Sequence, residues 1–245
     1  VRIGRDNTVV DNLVTATTAD GQSNVDTATH MYSTGTHRAL ITARANGVHY
    51  DGNFAGLAVG AFVAPSKADT QGADFYVEEK NATGVTKKDR DVGYGLSVGY
   101  ANGPLTAGVA AQQFREKTLA TKKAETQFVV GGAYDFNVAK VFANYIENSQ
   151  KVAGVKQDKQ QEANVGVTVP FGAASFVAEY GFNRVKPANG SKALKSHDGL
   201  IGANYAFSKR TDVYGRIGYQ SILKASGDGT KGNAQTYAVG LRHRF

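Results

Sequence analysis

Residues 91–103 read DVGYGLSVGYANG, and their alternation decides the fold. Val92, Tyr94, Leu96, Val98 and Tyr100 take every second position, with Gly93, Gly95, Ser97 and Gly99 between them. Successive side chains of a strand point to opposite faces. One face is therefore wholly apolar and runs between aromatics, while the other is small and polar. After an NGP turn at 102–104 the pattern resumes, with Leu105, Ala107 and Val109 on one side and Thr106, Gly108, Ala110 and Gln112 on the other. The two segments read as a hairpin.

The same alternation spreads in both directions. It returns in 125–136 (Phe128, Val130, Tyr134, Phe136), in 163–171 (Val165, Val167, Val169, Phe171) and in 174–182 (Phe176, Ala178, Tyr180, Phe182). It continues in 200–207 (Ile201, Ala203, Tyr205, Phe207) and 210–219 (Val213, Ile217, Tyr219). The closing residues NAQTYAVGLRHRF put Tyr237, Val239, Leu241 and Phe245 on one stripe, alternating with Ala238, Gly240, Arg242 and Arg244. Each run is near the nine to eleven residues, roughly, that a tilted strand needs to cross a bilayer.

Composition agrees with strands. Among 245 residues there are 29 Gly, 12 Tyr and 12 Phe but only 4 Pro, a strand-favouring profile. With no cysteine, disulfides and thiolate metal sites are excluded. The formal charge of +7 favours anionic partners, yet the basic residues are spread and form no run of five, which argues against a nucleic-acid tail. No stretch approaches eighteen apolar residues, so no transmembrane helix is expected, and no secretory leader opens the sequence.

A soluble sandwich or barrel also alternates, but it turns its bulky residues inward and its charges outward. Here the face opposite the aromatics carries Gly, Ser, Thr, Asn, Glu179 and Arg216, and charge collects in the connections. Short turns at 102–104, 136–140, 171–174 and 207–212 take turns with polar stretches at about 65–91, 115–124, 148–161, 184–197 and 222–234. Short turns at one end and long loops at the other are the plan of a membrane barrel. The expectation is an all-β, antiparallel transmembrane β-barrel of about twelve strands, forming a single domain over 1–245 with an insertion near 8–37. Tyr94, Tyr100, Tyr134, Phe136, Tyr237 and Phe245 fall where aromatic girdles meet the membrane boundary.

At this point the chain resembles the general-diffusion trimeric porins of the β-proteobacterial outer membrane. The stretches that carry the likeness are ANGVHYDGNFAGLAVGAF at 45–62, YDFNVAKVFA at 134–143, VGVTVPFG at 165–172, YAFSKRTDVYGRIGY at 205–219 and VGLRHRF at 239–245. The resemblance implies sixteen strands, with RIGRDNT at 2–8 as the fifth and the last twelve supplied here, so that the first four strands and any signal peptide are missing. It also implies a loop folded into the barrel, a homotrimer set among outer-membrane lipid and lipopolysaccharide, and passive diffusion of small hydrophilic solutes and ions without a cofactor. Small-residue faces such as Leu57, Val59, Ala61 and Val63 offer themselves for close packing.

In that family acidic loop groups face basic groups on the wall. Asp11, Asp20 and Asp26 lie in the insertion, and Arg2, Arg44 and Arg38 stand as wall or loop-end cations, so a transverse field is expected, with anion preference following the net charge. The aspartates also read as solvated loop or turn residues. By alternation Arg216, Arg242 and Arg244 face the lumen, where they either tune selectivity or pair with Glu179 or Asp212 and hold the wall.

Catalysis finds little footing. There is no GxSxG elbow, and His30, His37, His49, His197 and His243 show no ligand spacing, so neither an enzyme nor a metal site is expected. Substrate-selective channels and barrel adhesins or hydrolases are the alternatives. GYGLSVGY lacks the helix and Lys-Ser/Thr pair of a phosphate loop, and the outward parity of the aromatics makes a girdle, not a nucleic-acid platform.

Overall fold

The computed structural model describes residues 1–19, 44–67, 78–80, 86–88, 92–117, 122–223 and 231–245. A strand β1 (Arg2–Asn7) leads into a helix α1 (Val9–Ala16), and then come β2 (Arg44–Phe54) and β3 (Leu57–Lys67). A small hairpin of β4 (Glu78–Lys80) and β5 (Thr86–Lys88) follows. The rest is β6 (Val92–Asn102), β7 (Leu105–Lys117), β8 (Lys122–Asp135), β9 (Lys140–Val152), β10 (Val155–Phe171), β11 (Ala174–Lys186), β12 (Leu194–Ala206), β13 (Thr211–Leu223) and β14 (Lys231–His243). Apart from the β4–β5 pair, these strands form one 12-stranded sheet in which each is antiparallel to its neighbour in chain order, with β1 and β14 at the edges.

The sheet is inverted relative to a soluble protein. Val63, Leu96, Ile201, Ile217 and Val239 are exposed, Val239 at 82%. On the opposite parity Gln127, Asn148, Glu162, Asp198 and Arg216 are buried, Gln127 at 0%. Exposed apolar surface on this scale is intolerable in water and natural in lipid, where every backbone group is satisfied within the sheet.

The polarity of 115–124 and 148–161 predicts long connections, but the described residues there are mostly strand: β7 runs to Lys117, β8 starts at Lys122, and β9 and β10 are joined only by Ala153 and Gly154. Those two residues have φ of 51° and 84°, as do Ala55 and Gly56 (53° and 90°) between β2 and β3. Positive φ at both central positions makes the tight hairpin turn whose twist matches the strands. Beyond the apolar belt a strand is wet on both faces, so its side chains lose the alternation that marks it in sequence.

Candidate pore-lining site

The site is built on the glycine side of the sheet. Thr8 caps α1 by accepting from the backbone N–H of Asp11 at 3.3 Å, which satisfies one of the orphan donors of the first turn. Val9, Val10 and Val14 then bury one face of the helix against Phe62, Phe114, Val129 and Ile146. The wall makes room for it with glycines. A Cβ on Gly95 would sit 2.8 Å from a Val9 methyl, one on Gly108 3.2 Å from Leu13, one on Gly131 2.7 Å from the Thr17 hydroxyl, and one on Gly166 2.8 Å from the Ala19 Cβ. The segment thus crosses the inner wall from β6 to β10 in a trough that any side chain would fill.

Polar groups fasten its far end. Asn144 Nδ2 donates to the Thr17 carbonyl at 3.0 Å and to the Thr18 hydroxyl at 3.1 Å. The Ala19 N–H donates to Glu179 Oε1 at 2.9 Å. Glu179→Ala removes this charged acceptor, a loss of about 1.5–3 kcal/mol for a hydrogen bond to an ionised group. Hydrogen exchange at the Ala19 amide is expected to quicken by about tenfold or more; unchanged exchange would show that the segment does not depend on this bond.

The expected charged residues are distributed as follows. Arg2 lies opposite His49, on the parity of the buried inner face, and its guanidinium bonds Asp6 and, at 2.5 Å, Asp51. Two carboxylates thus offset its charge. Arg44 opens β2 and donates to Asn7 Oδ1 at 3.3 Å; strand parity groups it with the outward Val48 and Tyr50 rather than with Ala45 and His49. Asp11 belongs to the first turn of α1, where a carboxylate complements the helix dipole. Asp20, Asp26 and Arg38 lie outside the described residues, as do His30 and His37.

Arg216 is 2% exposed and donates to the carbonyls of Ala203 and Gly215 and to Asn204 Oδ1, all within 2.9–3.0 Å. Arg242 grips Asp212 with two bonds of 2.9 Å. Both line, with Lys140, a hollow of about 360 Å³ that reaches Ala19. Arg244 follows the end of β14, where its backbone N–H donates to the Arg210 carbonyl at 2.8 Å. His243 meets the Thr211 hydroxyl at 2.9 Å.

Several inner-wall groups escaped the sequence reading. Glu125 accepts from Gln127 and from Asn148 at 2.9 Å, Glu162 from Asn164 at 2.7 Å, and Asp198 from Asn183 at 2.6 Å. Parity carried past the ends of the apolar runs would have found Glu125, Asn148 and Glu162. The inner wall therefore holds amide-braced carboxylates towards the long-connection end and Lys140, Arg216 and Arg242 towards the short-turn end.

The aromatics point the other way. Tyr94, Tyr100, Tyr134, Phe136, Tyr237 and Phe245 are all exposed. Tyr134 and Phe136 pack with centroids 4.6 Å apart, and Phe245 meets His243 edge-on at 4.8 Å.

An antiparallel meander that is greasy outside and polar inside, with a helix-bearing segment folded against its inner wall, is the architecture of an outer-membrane β-barrel. The chain belongs to the Gram-negative porin family, whose pattern it matches over residues 1–225. It is 29% identical over 164 residues to outer membrane porin protein 32 of Delftia acidovorans, covering 60% of this chain and 45% of that one, so it spans less than half the length of this curated relative. Among solved structures, an anion-selective porin from Comamonas acidovorans superposes with a TM-score of 0.67 at 22% identity, over 100% of this chain and 74% of that one. Outer-membrane expressed OmpT of Vibrio cholerae gives 0.69 at 18% identity, over 98% and 75%. At these identities the structural likeness speaks for the fold.

Proposed function

We propose that this chain forms the wall of a water-filled channel in the Gram-negative outer membrane, through which small hydrophilic solutes and ions diffuse passively, with anions preferred. The observation that carries the reading is the inversion of the sheet, Gln127 buried at 0% and Val239 exposed at 82%, since only a wall with lipid outside and water inside needs both. Membership of the porin family supports it, and favours a passive pore over a catalyst. Closure of the two sheet edges by further strands, to the sixteen implied by the resemblance, belongs to the proposal, because open edges are not tolerated in hydrocarbon. So does a homotrimer, for which the trimer form of Vibrio cholerae OmpT is the precedent. No cofactor is needed.

Reconstitution in planar bilayers tests it. A large current proportional to salt and not saturated by any solute is expected. Saturation by one solute points to a substrate-selective channel, and absence of current to an adhesin or enzyme.

Anion preference is supported by Lys140 and Arg216 on one hollow, whose other charged lining residues are Asp135 and an Arg242 already offset by Asp212; the remaining excess of fixed cations raises the local anion concentration. Reversal potentials in a salt gradient are expected to take the anion-selective sign and to shrink in Lys140→Gln. A cation-selective wild-type channel ends this part of the proposal.

A further inference from the structure

Two carboxylates of the inner wall are only half satisfied. Asn164 Nδ2 donates to Glu162 Oε1 at 2.7 Å, and Asn183 Nδ2 donates to Asp198 Oδ1 at 2.6 Å. The second oxygens, Glu162 Oε2 and Asp198 Oδ2, meet no donor among the described residues, and neither does Asn183 Oδ1. Glu162, Asp198 and Asn183 are 1%, 3% and 4% exposed, and an acceptor orphaned at such depth calls for an ion or water beside it. No described cation offsets the two charges: Arg2, Lys123, Lys159 and Arg242 pair with other carboxylates. His197, next to Asp198 in sequence, falls on the outer face and bonds the Tyr180 hydroxyl.

Register brings these groups together. Glu162 pairs with Asn183 and Asn164 with Gly181 across β10 and β11. Gly181 in turn pairs with Asp198 across β11 and β12, and Asp198 with Gln220 across β12 and β13. Gly181 is the centre of the patch, and its missing side chain leaves a cradle. A Cβ there would sit 2.5 and 2.7 Å from the two carboxylate oxygens of Asp198 and 2.8 Å from Asn164 Oδ1. Three acceptors thus converge on one point that the chain leaves unfilled. The Glu162 carboxylate is held beside it on Asn164, and Gln220 Oε1, buried without a donor, belongs to the next strand.

We propose that this patch binds a divalent cation of the size of calcium. Calcium takes roughly six to eight oxygen ligands at about 2.3–2.6 Å and accepts a bidentate aspartate, amide carbonyls and waters together. Asp198 offers both its oxygens, Asn164 and Asn183 offer amide carbonyls, and Glu162 brings the second negative charge. Every donor is a hard oxygen and no imidazole or thiolate faces the patch, which disfavours zinc and copper. Magnesium demands near-ideal octahedral geometry at about 2.0–2.1 Å, closer than these oxygens stand around their common point. A bound dication offsets both carboxylates, so this part of the wall no longer attracts cations from the lumen.

Isothermal titration of the purified chain in neutral detergent, with calcium chloride and separately with magnesium chloride, tests this. The wild type is expected to bind calcium with a dissociation constant on the order of 10⁻⁴–10⁻³ M, and magnesium about tenfold more weakly or worse. Asp198→Asn and, separately, Glu162→Gln each remove one charge at nearly constant shape. Both are expected to lower calcium affinity by about tenfold to a hundredfold, the range that even the outer partners of a metal command. Gly181→Ala keeps both charges but fills the cradle, and is expected to lose calcium to the same extent. Glu147→Gln, on the outer face, should bind like wild type. A wild type that takes up no calcium, equal affinity for the two metals, or wild-type calcium binding by Asp198→Asn or Gly181→Ala overturns the proposal. The comparison of the two metals needs no variant, and insertion into planar bilayers reports that each variant has folded. A last readout rests on the channel of the proposed function: replacing a chelator with calcium is expected to move the wild-type reversal potential further towards anions and to leave Asp198→Asn unmoved. An equal response in both also overturns the proposal, whereas a wild type without current fails the channel and leaves the titration standing.

Discussion

A Val10→Asp channel is expected to fluctuate into a larger conductance state that the parent visits rarely. Val10 is fully buried between α1 and the inner wall, beside Phe62 and Val129. Burying a valine is worth about 1.5–3 kcal/mol, so loss of about 2 kcal/mol raises the population of the unseated segment by about thirtyfold, and an unpaired carboxylate at that position drives it further. The barrel wall itself has no need of Val10, because its strands are held by ladder hydrogen bonds that do not involve α1. Single-channel recording is the measurement. A current trace indistinguishable from wild type, in a channel that inserts normally, would mean that α1 does not narrow the passage.

Ile201→Arg is expected to lower folding stability in lipid by about 2–4 kcal/mol, the cost of an arginine near the membrane midplane of a barrel. Ile201 is 59% exposed on the outward face of β12, between Tyr205 on one side and the row of Tyr180, Gly199 and Tyr219 on the other. The same replacement at Thr236, on the inner parity of β14 opposite Gly218, should cost less than about 1 kcal/mol, as is usual where solvent receives the new group. Denaturant titration of the two variants in liposomes gives the comparison. In a water-soluble fold the exposed isoleucine would accept arginine freely, so equal stability of Ile201→Arg and wild type contradicts the membrane reading at its root.

The parts of the wall that cross the apolar belt were legible because lipid imposes a rule on every second residue. Val92 to Tyr100 and Val165 to Phe171 obey it without exception. The rule stops where the belt stops. Ser149, Lys151, Lys156 and Lys159 are strand residues with water on both sides, so nothing in their order distinguishes them from a loop, and the two-residue turn at Ala153–Gly154 shows only in its positive φ. The charged site was partly legible for a related reason. Parity assigned Arg216 and Arg242 to the inner wall, but their partners are separated from them by as many as 30 residues in sequence, as Asp212 is from Arg242. Arg2 looked like a bare wall cation, and only its approach to Asp51 across β1 and β2 reveals the compensation.

Sequence alone determined which face of each membrane-crossing strand meets lipid, because a period of two in hydropathy is a local property that survives without knowledge of neighbours. It determined the antiparallel succession of strands as well, through the turns between them. Only the tertiary structure decided what the inner glycines are for. Gly95, Gly108, Gly131 and Gly166 belong to four different strands, and their shared purpose, a trough for α1 and the residues after it, exists only once register brings those strands side by side.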